Sequence, residues 1–316
     1  MDNPGEACDR NQERESFQVL NNRLRVNTRT RNKLALFLLL FSMAGFWEPL
    51  LALYSLTQEQ SHYSHLLLVP FVSAYVFYQH RKVILTSGEW SPVSGLMMVG
   101  LGALGYWEAA RATNGVDYVS LSTLALVIVT WGIFLFCYGP GICRTFSFGL
   151  FFLLCMVPFP AGLLHTIIVF LQRSAVEGVD LGFSLLNVPV IRDGTVFVLP
   201  NITIRVDEGC SGIRSTISLI ITSIVAGHFC LRSGLAKLSL VAVAVPLAIM
   251  DNIFRIIGLS LLANYVNTRF LLDGSLHDLG GHVLFVVSIA ILIVLLSLLR
   301  KVEQRPRLYA VVRAEV

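Results

Sequence analysis

Eight apolar runs constrain this chain more than any other feature. They lie at about 34–56, 64–80, 92–110, 117–138, 145–171, 213–231, 235–263 and 277–299. A helix needs about 20 apolar residues to cross the hydrocarbon core of a bilayer, and each run is near or above that length. Composition agrees: 55% of the 316 residues are hydrophobic, mean hydropathy is +0.69, and only 14% are charged. Soluble domains average about 25% charged residues. The expected fold is all-α and polytopic, with about eight transmembrane helices and a short β-rich extracytoplasmic segment before the sixth. That excludes a soluble globular enzyme.

The net charge of +4 says little, because orientation depends on where Lys and Arg stand. Residues 1–33 form a polar tail carrying Arg10, Arg14, Arg23, Arg25, Arg29, Arg31 and Lys33, with its five acids before residue 16. This basic cluster can touch anionic lipid, and more plainly it anchors the N-terminus in the cytoplasm. No cleavable signal peptide is visible, since the run at 34–56 is too long for a signal h-region. The 57–63 loop has no Lys or Arg and is expected outside. Arg81-Lys82, Arg144, Arg232 with Lys237, and Arg300-Lys301 mark every second connection as inside. Arg111 and Arg269 are minor exceptions, each with an acid nearby (Glu108, Asp273). Both termini are then cytoplasmic, with a membrane domain over 34–299 and a second tail at 300–316.

The fifth run is interrupted at Val157-Pro158-Phe159-Pro160, as a kinked span or as a span followed by an interfacial helix. One long extracytoplasmic segment follows, at about 172–209. Gln172, Arg173, Glu177 and Asp180 among apolar residues predict an amphipathic helix over 172–187, lying at the surface. Asp193-Gly194 then separates Val188–Arg192 from Thr195–Leu199, a two-residue hairpin signal. Pro200-Asn201 makes a turn, and 202–206 alternates like a third short strand.

These strands deliver the chain to Asp207-Glu208-Gly209-Cys210-Ser211-Gly212-Ile213-Arg214, a polar, glycine-punctuated stretch at the lip of an apolar run. Polar groups there are costly unless water or a function retains them. A helix-capping turn would look the same locally. The topology sharpens the choice, because it sets Cys210 at the outer end of the sixth span. Asn252 and Arg255 fall in the outer half of the seventh. His277 and Asp278 stand at the outer lip of the eighth, with His282 about one turn deeper. A cysteine, an arginine and a histidine thus share one depth on one side of the membrane.

Those residue types suit nucleophilic acyl transfer. A thiolate attacks a carbonyl, and an imidazole deprotonates the thiol or protonates the leaving amine. A nearby cation lowers a thiol's pKa from about 8.5; Arg255 could instead donate to the oxyanion of the tetrahedral intermediate. Asp278 or Glu208 could orient the imidazole. Gly209 and Gly212 would let a substrate backbone come close. Blander roles stand beside these. Arg255 could pair with Asp251 or Glu208, His282 could be a packed or interfacial histidine, and Asn252 could only bridge helices. Arg214 caps a helix or binds substrate; His65 is an auxiliary site group or an interface anchor. Of the other cysteines, Cys8, Cys137, Cys143 and Cys230 fall in or near cytosolic segments and Cys155 lies inside an apolar run. Cys210 therefore has no evident disulfide partner on the oxidising side. No CxxC, HExxH, GxGxxG or phosphate-binding loop occurs, so neither a metal nor another cofactor is expected, and no nucleic-acid partner.

With these residues in view, the sequence resembles the exosortase/archaeosortase family of membrane cysteine transpeptidases. The likeness rests on Tyr63-Ser64-His65 with Val69-Pro70, Met156-Val-Pro-Phe-Pro160, Cys210-Ser-Gly-Ile-Arg214, Asn252-Ile-Phe-Arg255, and His277-Asp-Leu-Gly-Gly281 running into Val283-Leu-Phe285. The resemblance implies a Cys-Arg-His site, with Cys210 as nucleophile, Arg255 as its arginine and His277 as general acid/base. It also implies substrates: exported proteins ending in a short motif (Pro-Glu-Pro in the bacterial type), one transmembrane helix and a basic tail. The acceptor would be a lipid or glycan, often linked to exopolysaccharide, and the setting the bacterial inner membrane with the site on its outer side. The acidic pair Asp207-Glu208 departs from the family's pattern and is compatible with a subfamily reading a different signal. No appended soluble domain is visible after residue 299. Two rival readings are a transporter with Arg255 and His277 on its pathway and a noncatalytic component of polysaccharide export. The transporter predicts polar residues in both leaflets, yet the inner halves of the spans are nearly free of them.

Overall fold

Apolar runs become helices throughout the computed structural model, which describes residues 30–81, 91–112, 115–266 and 274–314, without the side chains of Ser61, 274–280 and 305–314. The chain divides into two compact units, Met1–Pro160 and Ala161–Val316. Among the described residues four helices are long and apolar enough to cross a membrane: Gly115–Thr145, Glu208–Cys230, Gly234–Tyr265 and Gly281–Gln304. The number rises to six if two bent pairs each count as one span. These are Thr30–Gly45 (α1) with Trp47–Glu59 (α2), bent by 68°, and Ser147–Met156 with Ala161–Leu185. The chain is a multi-pass membrane protein with a small sheet, and four to six spans stand where eight were expected.

The difference lies in the second and third runs. Residues 64–80 divide into a 3-10 segment, Ser61–Leu67, and a 12-residue helix, Leu68–Gln79 (α3). At 1.5 Å per residue α3 spans only about 18 Å of the roughly 30 Å hydrocarbon core. The third run forms Pro92–Ala109 (α4), 18 residues diluted by four glycines and Glu108.

In the first unit, α4 lies tightly against Gly115–Thr145 (α5). Cβ atoms added at Gly102 and Gly132 would stand 2.6 and 2.7 Å from Val129 and Val99, and one at Gly95 would meet the Phe136 backbone. Small residues let helices in a membrane approach to backbone contact, where dispersion replaces the missing hydrophobic drive. Gly139, at φ +73°, followed by Pro140, breaks α5 near its end. Phe77 stacks between Phe134 and Phe146, with ring centroids 4.8 and 5.3 Å away. The Trp131 indole donates to the Leu150 carbonyl, at 2.8 Å, on the short helix Ser147–Phe152 (α6).

The second unit begins after the Pro158/Pro160 break. Residues 161–171, expected to end a span, and 172–185, expected as a separate surface helix, are one helix, Ala161–Leu185 (α7). The sheet follows as β1 (Ile191–Asp193), β2 (Val196–Val198) and β3 (Thr203–Arg205), antiparallel in the order β1-β2-β3. Asp193 pairs with Val196, and Gly194 in the intervening turn adopts φ +61°.

Three-residue strands are marginal by themselves, so burial and side-chain bonds must hold them. Phe197, Ile204, Leu199 and Val206 bury against Val176, Val179 and Phe183 of α7 and Ile253, Ile256 and Ile257 of Gly234–Tyr265 (α9). The polar face of α7 then ties the sheet down. Gln172 donates to the Val206 carbonyl at 2.7 Å, and Arg192 donates to Glu177 (2.6 Å) and Asp180 (2.9 Å). Asn264 accepts from the Asn201 N–H and, through its carbonyl, from the Asn201 amide. The residues that made 172–187 look like a surface helix are largely staples. The unit is completed by Ile213–Cys230 (α8) and Gly274–Ala314 (α10), so the helix runs on through the expected 300–316 tail to residue 314. Glu303 accepts from the Arg232 and Ser233 N–H groups where α9 starts, a carboxylate at a helix N-terminus.

Candidate functional site

Beyond β3 the chain enters a 3-10 turn, Glu208–Cys210, that is too short to hold itself by its own hydrogen bonds. Asp207 supports it, because its Oδ1 accepts from the Cys210 N–H at 3.1 Å. One of the two acids before the cysteine is therefore a cap. Ser211 follows, 2% exposed, its hydroxyl buried with no hydrogen-bond partner among the described residues. Gly212 then turns the chain into α8 at φ +76°, a left-handed conformation that costs a residue with a Cβ about 1–2 kcal/mol. A Cβ at 212 would also lie 2.7 Å from Cγ of Asn252. That side of Gly212 is filled by Asn252 and offers no room to a substrate backbone, contrary to expectation. Gly209 is more open, with only Asp207 Oδ1 nearby, at 3.3 Å from an added Cβ.

Cys210 is partly exposed and free; Cys143, Cys155 and Cys230 are also free and partly exposed, and Cys137 is free and buried. Its carbonyl accepts from Asn252 Nδ2 at 2.7 Å. Asn252 Oδ1 in turn accepts from Arg255 Nη2 at 2.9 Å. Asn252 and Arg255 sit three residues apart on α9 and so share a helix stripe. Asn252 is 2% exposed, and Arg255 Nε is buried with no hydrogen-bond partner among the described residues. Arg255 forms no ion pair with Asp251 or Glu208 there. Asp251 instead accepts from the Ser288 hydroxyl at 3.1 Å. The third region arrives through Gly281 of α10, where an added Cβ would lie 3.6 Å from both Cδ and Nη1 of Arg255. Position 277 is one helical turn before Gly281; the side chains of His277 and Asp278 lie outside the described residues.

The remaining candidates separate. Arg214 is exposed on the first turn of α8, and His282 is exposed on α10. Glu208 meets an imidazole that the sequence reading passed over. His165 Nδ1, on the first turns of α7, lies 4.0 Å from Glu208 Oε1, with both side chains about two-thirds exposed. The signal was available, because His165 stands five residues after Pro160. His65 belongs to the first unit, where its Nδ1 lies 2.9 Å from the His62 carbonyl. In that segment burial pushes the His62 imidazole below its ordinary value and the Tyr63 phenol up to about 12. At the sheet, the hydrogen bonds that Arg192 donates to Glu177 and Asp180 raise its guanidinium further.

What the second unit assembles is a free, partly exposed cysteine whose own carbonyl is linked through one amide to an arginine whose Nε has no partner among the described residues. A cation so placed can stabilise either a thiolate or an oxyanion.

A family model described as transmembrane exosortase (Exosortase_EpsH) matches residues 57–294. No curated protein and no solved structure matches. The matched stretch takes in α3 to α9, the sheet, the Cys210 turn and most of α10, well over half of the chain. The chain belongs to the transmembrane exosortase family.

Proposed function

We propose that this protein is a membrane-embedded cysteine protease and transpeptidase that cleaves C-terminal sorting signals of exported proteins. The observation that carries the reading is the hydrogen-bonded run from the Cys210 carbonyl through Asn252 to Arg255. Membership of a family of membrane cysteine proteases and transpeptidases supports it.

In the proposed reaction the Cys210 thiolate attacks the carbonyl carbon of the scissile peptide, and the C–S bond forms as the oxygen takes the negative charge. Arg255 donates to that oxyanion. Collapse breaks the C–N bond, and His277 passes a proton to the departing amine, which leaves with the substrate's transmembrane helix and basic tail. A thioester on Cys210 remains. A lipid or glycan nucleophile, or water, then attacks it, giving its proton to His277 and releasing the thiolate. Glu208 or Asp278 would orient the imidazole, while Arg214 and His65 are auxiliary groups toward the substrate. Arg144, Arg232 with Lys237, and Arg300-Lys301 favour both termini in the cytoplasm and the site on the outer face, and the family resemblance implies a bacterial inner membrane. A link to exopolysaccharide or cell-surface assembly follows from the family resemblance.

The test is trimming of a tagged exported protein that carries a C-terminal motif, one transmembrane helix and a basic tail. Cys210→Ala and Cys210→Ser should leave it full-length, and the mass of the wild-type product's new C-terminus should identify the acceptor. Trimming that persists in Cys210→Ala removes the enzyme reading.

A further inference from the structure

We infer that Asn252 is a positioning residue: its side-chain amide sets where the Cys210 turn and the Arg255 guanidinium stand relative to each other. This rests on the proposed roles of Cys210 and Arg255.

An amide carries a donor and an acceptor on one planar group, and here the partners decide its orientation. A guanidinium can only donate and a carbonyl can only accept, so Oδ1 must face Arg255 and Nδ2 must face Cys210. Both bonds are short, at 2.9 and 2.7 Å, and the residue is 2% exposed, so its own amide is shielded from water. The site is also built around this side chain. Gly212, two residues after Cys210, leaves the space where a Cβ would lie 2.7 Å from Asn252 Cγ and 2.9 Å from its Cβ. From the other side, α10 passes Arg255 at Gly281, where an added Cβ would be in ordinary contact with Nη1, at 3.6 Å.

The consequence is chemical. Once Nη2 is committed to Asn252, the guanidinium is held from one side, while Nε is buried with no hydrogen-bond partner among the described residues. A preorganised donor pays no reorganisation cost when charge develops on the substrate oxygen. The same amide grips the carbonyl of the nucleophile's own residue, so nucleophile and oxyanion donor are referenced to one rigid group. No other short side chain does both. Asp keeps the bond to Arg255 but sets an acceptor against the Cys210 carbonyl; Ala gives up both.

The experiment compares kcat and KM for trimming in detergent-purified wild type, N252A, N252D, R255A and N252A/R255A. Alkylation of Cys210 by iodoacetamide without substrate is the second readout. A misplacement of about 1 Å can cost about 100-fold in rate. N252A should therefore lower kcat by about that factor with KM little changed. The losses in N252A and R255A should overlap, so that the double variant loses less than their product, because part of the Asn252 effect runs through the guanidinium. N252D, close to isosteric and expected to fold, should recover no more than about a tenth of wild-type kcat. Alkylation of Cys210 should change by about 3-fold or more in both Asn252 variants, since the turn loses its donor. The inference is overturned if N252D keeps wild-type kcat, if the losses in N252A and R255A multiply, or if alkylation is unchanged. Alkylation needs no turnover, so it reads the Asn252 contact even if Cys210→Ala were to go on trimming and the enzyme reading itself failed.

Discussion

Between α4 and α5, glycines at 95, 102 and 132 stand where a Cβ would strike the facing helix. Between α7 and α9, Gly178 and Gly182 do the same against Ile253 and Ile257. The packing device is shared, and the outcome is not. Around the first contact the neighbours are Val99, Val129 and Phe136, and the result is an apolar clamp. On α9 the packed isoleucines alternate with Asn252 and Arg255, so the same close approach that buries Ile253 and Ile257 fixes a polar stripe beside the Cys210 turn. Small residues bring helices together; what stands next to them in sequence decides whether the contact is structural or carries chemistry.

That comparison can be broken in several ways. The largest effect is expected from Phe197→Ala. This side chain is fully buried between the sheet and α7, and such truncations cost about 3–5 kcal/mol. Thermal unfolding in detergent should shift strongly downward and trimming should be lost with it, because the sheet delivers the chain to Asp207. Next come paired glycine changes. Gly132→Leu overpacks the α4–α5 contact and should cost about 1–3 kcal/mol of stability, leaving kcat per folded molecule near wild type. Gly212→Ala carries about 1–2 kcal/mol of backbone strain and also pushes on Asn252, so its kcat should fall about 100-fold. Equal kcat losses in the two variants would erase the distinction between clamp and site.

The smallest effect is a pH dependence in the first unit. Burial lowers the His62 pKa, so the folded chain prefers the neutral ring while the unfolded chain takes up a proton near 6.5. This contribution is present above about pH 6.5 and is lost as pH falls from there through the lower folded value. The melting temperature of wild type should drop more between pH 7 and pH 5 than that of His62→Gln. Parallel curves would contradict it.

Much of this could be read from residue order. Asp193-Gly194 announced a hairpin because only a residue tolerant of positive φ suits that turn, and Gly194 takes φ +61°. Basic residues and apolar lengths announced a polytopic membrane protein. Apolar length, however, cannot tell a crossing helix from a bent one, so the 68° bend between α1 and α2 and the 3-10 segment at 61–67 were invisible. Gln172, Glu177 and Asp180 read as a solvent-facing stripe, and Glu177 is indeed largely exposed, but their bonds to Val206 and Arg192 could not be read because those partners lie 12–34 residues away. The bridge by Asn252 was hidden for the same reason. Its motif placed it near Arg255, but its hold on the Cys210 carbonyl spans 42 residues and exists only once α8 and α9 are side by side.

The central claim is that Cys210 carries the acyl group. Its most direct test is the mass of the Cys210 peptide from enzyme stopped during turnover of a sorting-signal substrate. The account predicts a covalent adduct equal to the substrate's N-terminal fragment, released by hydroxylamine and absent in Cys210→Ala. Continued trimming with no adduct on Cys210, or an adduct on another residue, would contradict it.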